Sequence, residues 1–277
     1  MVFTIGDNGT AHLLCADIER ALKNSGLDGR RARILVVGPY GILGSAVSEY
    51  LAQKGYIAVG CGSNRRLLVE FAARTNMPIT HDLSQAGQFD MVVTCTHSAD
   101  AKLTPDLIEQ LRRPHRKLLV VDVAEPANLD EAAYRASQGR VVRQDAGNGH
   151  SPALHYVLGA LSHNKLHLPR GTVFGCFAEA MALYHRIFRE HDSVALCRDW
   201  FDINPANTAL VAEAFAALQL GLPAPHCFGQ RVSDFSLHNR ERQLSTLADL
   251  MPPPAQALKG TLGSAQAVPT HRSPTSA

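Results

Sequence analysis

The segment at residues 33–44 is the sequence feature that most constrains the fold of this chain. Residues 33–37 read RILVV, a nearly continuous apolar run, which is typical of a strand buried on both faces of a parallel sheet. Gly38, Gly41 and Gly44 follow at regular spacing, and a helical pattern begins at about residue 43. A strand, a glycine-rich turn and a helix in this order predict the first unit of a nucleotide-binding α/β domain.

The rest of the chain continues this alternation of strands and helices, which is typical of a doubly wound α/β domain. We therefore expect an α/β fold, a Rossmann-type doubly wound parallel sheet with additional helices from the N- and C-terminal segments. The later strands are predicted at residues 56–59, 91–94, 117–122 and 141–143, and the helices at residues 10–25, 43–54, 67–75, 172–188 and 206–220.

Composition and charge exclude several classes of function. The formal net charge is +2, which gives no electrostatic footprint for nucleic acid or an anionic membrane. No apolar run approaches the roughly 20 residues of a membrane span, and the N-terminus lacks the pattern of a signal peptide. The six cysteines contain no CxxC and the thirteen histidines no HExxH, so neither disulfides nor a metal site are predicted. We expect a soluble, cytoplasmic protein.

The end of the second predicted strand indicates which nucleotide is bound. An NAD-preferring site usually carries Asp or Glu there, whereas residues 60–66 read GCGSNRR, with no acid and two arginines. NADPH is therefore favoured, with Ser63, Asn64 and Arg66 near its 2′-phosphate. The alternative is a helix start capped by Ser63 or Asn64, with the arginines in solvent. The other predicted cofactor-binding residues are Gly38, Tyr40, Gly41, Ile42, Leu43, Thr94 and Thr96.

Cys176 and His150 are the candidate catalytic residues. Cys176 lies at or near the start of an apolar helical segment, and a helix N-terminus lowers the pKa of a thiol. His150 lies in a glycine-rich loop after the last predicted strand, where strand ends border the ligand crevice and a histidine could donate a proton. The alternatives are a thiol that serves only in packing and a loop histidine exposed to solvent.

The residues around Cys176 resemble a known family. Residues 171–180, GTVFGCFAEA, closely resemble the Cys-Phe-Ala-Glu-Ala stretch of the cyanobacterial long-chain acyl-[acyl-carrier-protein] reductases. The similarity covers about residues 6–226. Its other matching residues, in order, are Gly6, Thr10, Ala11, Cys15, Gly41, Gly44, Ser45, Ala46, Val47, Asp122, Pro126, Asn128, Leu129, His150 and Ser151.

This resemblance implies an NADPH-dependent enzyme that reduces an acyl thioester, carried by acyl-carrier protein or CoA, to an aldehyde. It implies that Cys176 takes the acyl group, and it supports His150 for proton transfer. The chain also departs from the family: the long N-terminal region is missing, and Gly62 and Gly149 replace an arginine and a glutamate. We therefore expect a different acyl group or a partner protein that supplies the missing region.

Two other functions stay open from the sequence. One is hydride transfer without covalent catalysis, as in shikimate-type or amino-acid dehydrogenases, and the other is a cofactor-binding subunit that needs a partner chain. Short-chain dehydrogenase chemistry is disfavoured, because it needs Tyr-x-x-x-Lys well downstream of the glycine turn. The match at Tyr50 and Lys54 lies directly after that turn.

These interpretations divide the chain into four regions. The expected regions are an N-terminal helical segment at 1–29, an NADP-binding Rossmann domain at 30–165, a region at 166–251 with the catalytic-cysteine helix and C-terminal helices that pack with the N-terminal segment, and a disordered tail at 252–277.

Overall fold

A six-stranded parallel sheet forms the centre of the protein. The computed structural model describes residues 2–154 and 166–238. The strand order is β3-β2-β1-β4-β5-β6, which is that of the dinucleotide-binding fold, with its crevice at the carboxyl ends of β1 and β4. The predicted fold class is confirmed. The strands are β1 (Arg33–Val37), β2 (Ile57–Cys61), β3 (Ile79–Thr80), β4 (Met91–Thr94), β5 (Leu118–Asp122) and β6 (Val141–Asp145).

Helices cover both faces of the sheet. Successive side chains along a strand point to opposite faces, so each face of the sheet has its own hydrophobic core. In β1, Ile34 and Val36 face one core, while Leu35 and Val37 face the other. The first core contains side chains of three helices and the second those of two shorter ones. These helices are α1 (Asp7–Ser25), α2 (Ile42–Gln53) and α3 (Arg65–Thr75) on the first face, and α4 (Pro105–Leu111) and α5 (Glu131–Ala136) on the second.

A helical layer lies against the outer side of α1. Leu13 of α1 packs with Ala178, Val211 and Phe215 in a separate core that also buries Trp200. α1 therefore lies between the sheet and this layer. The layer comprises α6 (Gly175–Tyr184), a π-helical turn (His185–Arg189), α7 (Ser193–Leu196) and α8 (Pro205–Ala217), and two small antiparallel pairs join it: β7 (Asn148–His150) with β8 (Thr172–Phe174), and β9 (His226–Cys227) with β10 (Gln230–Arg231).

The segment predicted as one helix over residues 172–188 has a different structure. Its first three residues form β8, and the helix begins only at Gly175. Thr172 and Val173 are β-branched residues, which suit a strand, and they pair with β7. α4 and α5 were not predicted, because a helix of six or seven residues is too short to show clear periodicity.

Some predictions about organisation fall on residues outside the described ranges. The boundary predicted at residue 165 and the tail predicted at 252–277 both lie there, so the division into regions stays a prediction. In the described ranges, no helix combines the length and the apolar character that crossing a membrane requires.

Candidate active site

The glycine turn after β1 leaves one open approach to a helix N-terminus. Gly38 has a left-handed backbone (φ 84°). A Cβ on Gly44 would lie 1.9 Å from the carbonyl oxygen of Gly38, so packing within the loop requires glycine there. Gly41 differs, because its φ is −71° and its Cβ would meet nothing closer than 3.5 Å. The space above Gly41 therefore allows a phosphate to approach the first N–H groups of α2.

Tyr40 connects this turn to the loop that follows β2. A Cβ on Gly62 would lie 2.3 Å from Cε1 of Tyr40, so the ring rests on the Gly62 backbone. The Asn64 N–H donates to the Tyr40 hydroxyl oxygen over 3.1 Å. The Asn64 side chain accepts from the Leu67 N–H and caps α3. This agrees with the alternative prediction that Ser63 or Asn64 caps a helix start. Arg66 is exposed and 3.4 Å from the exposed Glu70, a pair of the kind that holds an arginine only weakly.

A cavity of about 230 Å³ lies over the carboxyl ends of β1 and β2. It brings together four of the predicted cofactor-binding residues from separate parts of the chain. Its lining also includes polar residues that sequence reasoning missed, although their position just after β3 and β4 is a usable signal. The four are Gly38, Tyr40, Ser63 and Thr96, and the missed residues are His81, Asp82, Ser84, Ser98 and Asp100.

The other predicted cofactor contacts lie elsewhere. Ile42 is 57% exposed at the first residue of α2, and Leu43 beside it is half-buried. Thr94 differs from the prediction, because its side chain is fully buried and its hydroxyl donates to Asp122 Oδ1 over 2.6 Å. Asp122 also pairs with the buried Arg143 at 3.2 Å. The Thr94 side chain therefore contributes to the interior of the sheet and does not face the crevice.

Cys176 lies at the same edge of the sheet as the glycine turn. It is the second residue of α6, and it is exposed. The Gly175 N–H donates over 2.9 Å to the carbonyl oxygen of Gly147, which follows β6 closely. β6 is the third strand from β1, a separation of about 14 Å. The cysteine and the open phosphate approach therefore lie at the same carboxyl edge of the sheet.

The environment of Cys176 does not favour the thiolate. Partial burial raises the pKa of the thiol, and the backbone N–H groups of Phe177 and Cys176 oppose that rise. The carboxylates of Asp7 and Glu179 raise the pKa further. The helix N-terminus thus acts in the expected direction, but burial and the two carboxylates outweigh it. The net pKa of the Cys176 thiol is therefore raised, against the expectation of a lowered one.

The start of α1 is held against Cys176. Gly6 has a left-handed backbone (φ 79°), and a Cβ on it would lie 2.3 Å from both Cα and Cβ of Cys176. Gly6 offers no side-chain cap to α1. Glu179 of α6 takes that role, because its fully buried carboxylate accepts from the Gly9 N–H and the Thr4 hydroxyl. Sequence reasoning missed Glu179, although a lone acid in the apolar helix is a signal.

His150 lies in the β7–β8 pair, at the end that is farther from α6. It pairs with Thr172, and its Nδ1 is 3.5 Å from the Thr172 hydroxyl oxygen. Asn148 pairs with Phe174, the residue before α6, so about 7 Å of strand separates His150 from the start of that helix. The structure does not bring the two candidate catalytic side chains together.

An apolar groove of about 370 Å³ runs along α6 beyond the cysteine. Met181, Leu218 and Leu220 contribute to its apolar lining. Met181 is five residues from Cys176, which corresponds to about 7.5 Å along the helix axis. Five residues also correspond to about 140° around the helix, so Met181 and Cys176 lie on different faces of α6.

The strand order and the open glycine turn together define a Rossmann domain of the dehydrogenase type. The profile of the shikimate/quinate 5-dehydrogenase family matches residues 19–146. The chain is 27% identical over 188 residues to the long-chain acyl-[acyl-carrier-protein] reductase of Synechococcus elongatus, an overlap that covers 65% of this chain and 51% of that protein. The chain thus spans about half the length of this curated relative.

Two solved structures are similar to parts of this chain at low sequence identity. A dipicolinate synthase from Bacillus halodurans has a TM-score of 0.42 and 16% identity, covering 51% of this chain and 49% of that one. A shikimate 5-dehydrogenase-like protein has a TM-score of 0.40 and 14% identity, covering 76% of this chain and 62% of that one.

Proposed function

We propose that this protein is an NADPH-dependent reductase that converts an acyl thioester, carried by acyl-carrier protein or CoA, to an aldehyde through an acyl group on Cys176. The observation that carries the proposal is the position of an exposed thiol at a helix N-terminus, at the edge of the sheet that also holds the open glycine turn. The similarity to the acyl-[acyl-carrier-protein] reductase supports the same chemistry.

The residues at the glycine turn fit a nicotinamide dinucleotide. The open backbone at Gly41 and the first N–H groups of α2, at Ile42 and Leu43, would hold the pyrophosphate. Tyr40 and Ser63 line the cavity for the adenosine end, and the exposed Arg66 would pair with a 2′-phosphate. Bound NADPH would supply the hydride.

Cys176 forms and releases the acyl intermediate in this proposal. Its sulfur attacks the thioester carbonyl carbon, the bond to the carrier sulfur breaks, and the carrier leaves as a thiol. The N–H groups of Cys176 and Phe177, which already favour negative charge at this point, help to stabilise the attack. The hydride that bound NADPH would supply, together with a proton from solvent, would convert the acyl group to a thiohemiacetal on Cys176. Its collapse releases the aldehyde and the free thiol, so two easier steps replace one difficult step.

Turnover by cysteine variants tests this proposal. Purified protein is mixed with NADPH and acyl-CoA or acyl-carrier-protein thioesters of increasing chain length, and NADPH absorbance and aldehyde are measured. We expect Cys176→Ser to lose aldehyde formation. Cys197→Ser, at the other exposed cysteine of the chain, is expected to keep it. Equal rates in the two variants would overturn the covalent mechanism.

A second candidate is a dehydrogenase that transfers hydride without a covalent intermediate. Its support is the match of residues 19–146 to the shikimate/quinate 5-dehydrogenase profile and the raised pKa of Cys176, whose first cause is burial. Full activity of Cys176→Ser on a hydroxy-acid or amino-acid substrate would favour it. The matched residues end before His150 and Cys176, so this similarity concerns the nucleotide-binding part alone.

A third candidate is a cofactor-binding subunit whose active site a partner protein completes. NADPH binding without turnover, restored when a partner chain is added, would favour this function.

A further inference from the structure

The proposed reaction needs a proton acceptor beside Cys176. Burial and two nearby carboxylates raise the pKa of the thiol, so the sulfur is protonated at neutral pH and must lose its proton as it attacks. The ring of His150 lies beside Thr172, at the far end of the β7–β8 ladder. The acceptor is therefore to be found on another element packed against the cysteine.

The start of α1 brings a carboxylate to this position. The backbone of Gly6 is in direct contact with Cys176, and Asp7 is the next residue, with its Cα about 3.8 Å from that of Gly6. The carboxylate of Asp7 is close enough to Cys176 for its negative charge to raise the pKa of the thiol. Asp7 is half-buried, and no hydrogen bond or ion pair from the described part of the chain engages its carboxylate.

Glu179, the other carboxylate that faces Cys176, is engaged elsewhere. It is fully buried and accepts hydrogen bonds from the Gly9 N–H and the Thr4 hydroxyl. Moving a proton onto Glu179 would disrupt the cap of α1. The carboxylate of Asp7 has no such capping role, so it can accept a proton from Cys176 without disrupting the helix cap.

We propose, on the basis of the proposed function above, that Asp7 is the general base for Cys176. Its carboxylate accepts the thiol proton while the bond between the Cys176 sulfur and the acyl carbon forms. As the bond between the acyl carbon and the carrier sulfur breaks, Asp7 returns the proton to the carrier thiolate. One thioester replaces another, and no oxidant or metal is needed at this step.

The electrostatics of the pair suit this exchange. Burial raises the pKa of Asp7, which brings the carboxylate closer to the neutral range in which a general base works best. Asp7 and Glu179 are the carboxylates that raise the pKa of Cys176, and the N–H groups of Phe177 and Cys176 lower it.

Two reactions of Cys176 test the inference, because the loss of Asp7 is expected to slow one of them and to accelerate the other. In Asp7→Asn, we expect acyl transfer from octanoyl-CoA to Cys176 to slow by about 100-fold near pH 7, because the base is lost. Alkylation of Cys176 by iodoacetamide is expected to become faster at the same pH, because removal of a neighbouring negative charge lowers the thiol pKa. Peptide-resolved mass spectrometry follows both reactions, and Asp7→Glu, which keeps a carboxylate, is expected to retain part of the transfer rate.

Asp106→Asn is the matched control, because Asp106 is also an acid in the first turn of a helix. It is expected to change neither reaction. Asp7→Asn overturns the inference if it leaves acyl transfer unchanged, or if it alters transfer and alkylation in the same direction. If wild-type protein forms no adduct with octanoyl-CoA or octanoyl-carrier protein, the proposed function fails and the inference fails with it.

Discussion

Gly41 and Gly44 are only three residues apart, but the structure gives them different roles. We expect Gly41→Ala to fold normally and to bind NADPH on the order of tenfold more weakly, because its Cβ would occupy only the space open to the phosphate. We expect Gly44→Ala to lose about 1–3 kcal/mol or more of unfolding free energy, because its Cβ would clash with the Gly38 carbonyl oxygen. Urea unfolding and titration with NADPH measure the two effects.

A Gly41→Ala variant that binds NADPH as tightly as wild type would contradict a phosphate approach at this residue. A Gly44→Ala variant of unchanged stability would contradict the tight packing of the loop. Each variant serves as the control for the other, since both add one methyl group to the same turn.

Single residues also mark the limit of sequence reasoning. The glycine turn and Cys176 were predicted from local pattern, and the structure places both at the carboxyl edge of the sheet. The Thr94 side chain is buried in the interior of the protein. The sequence of β4 does not show which way this side chain faces, because its residues do not alternate between apolar and polar. The separation of His150 from Cys176 depends on the β7–β8 register, and the sequence shows no sign of that pairing.

Helix α1 is capped by a residue from another helix. Glu179 accepts from the Gly9 N–H in the first turn of α1. We expect Glu179→Gln to lower the free energy of unfolding by about 1–2 kcal/mol, because an amide offers one acceptor instead of two and brings a donor toward the N–H groups. Urea unfolding followed by tryptophan fluorescence measures this loss.

Glu70→Gln is the control for this variant, since Glu70 is exposed and its one ion pair within the described residues is with the exposed Arg66. Such pairs contribute at most about 1 kcal/mol. If Glu179→Gln cost no more than Glu70→Gln, the capping role would be wrong.

The elements themselves were predicted unevenly. Apolar runs predicted β1, β4 and β5, because strands buried on both faces need such sequences. β6 was predicted only from the short segment at residues 141–143. Short elements were missed, and the helix prediction over residues 172–188 wrongly included the strand at Thr172–Phe174. Residues 172–174 form a strand because they pair with β7. Local sequence propensity does not predict such a pairing.

At the scale of the whole molecule, a buried acid couples α1 to the sheet. Asp17 is 1% exposed, accepts from the Gly147 N–H at 2.9 Å and from Gln144 Nε2 at 2.8 Å, and pairs with Arg20. Burial raises the pKa of Asp17 from 3.8 to about 7. Because the folded-state pKa is the higher one, the stability that this group contributes is fully present below about pH 3.8 and is lost as the pH rises toward 7.

We expect the stability difference between wild type and Asp17→Asn to fall between pH 4 and pH 7.5, by up to about 4 kcal/mol. The asparagine does not ionise, so its variant lacks this contribution. Unfolding by urea at several pH values measures the difference, with fluorescence of Trp200, the single tryptophan, which is 1% exposed. Asp28→Asn, at an exposed site, is the control. A difference that stays flat or rises with pH would contradict a raised pKa at Asp17.

The central claim concerns a covalent acyl group on Cys176, and the mass of the intact protein tests it most directly. The protein is incubated with octanoyl-CoA in the absence of NADPH, and the mass and the modified peptide are determined. We expect one octanoyl group on the Cys176 peptide, present in Cys197→Ala and absent in Cys176→Ala. Wild-type protein without an adduct, or an undiminished adduct in Cys176→Ala, would contradict it.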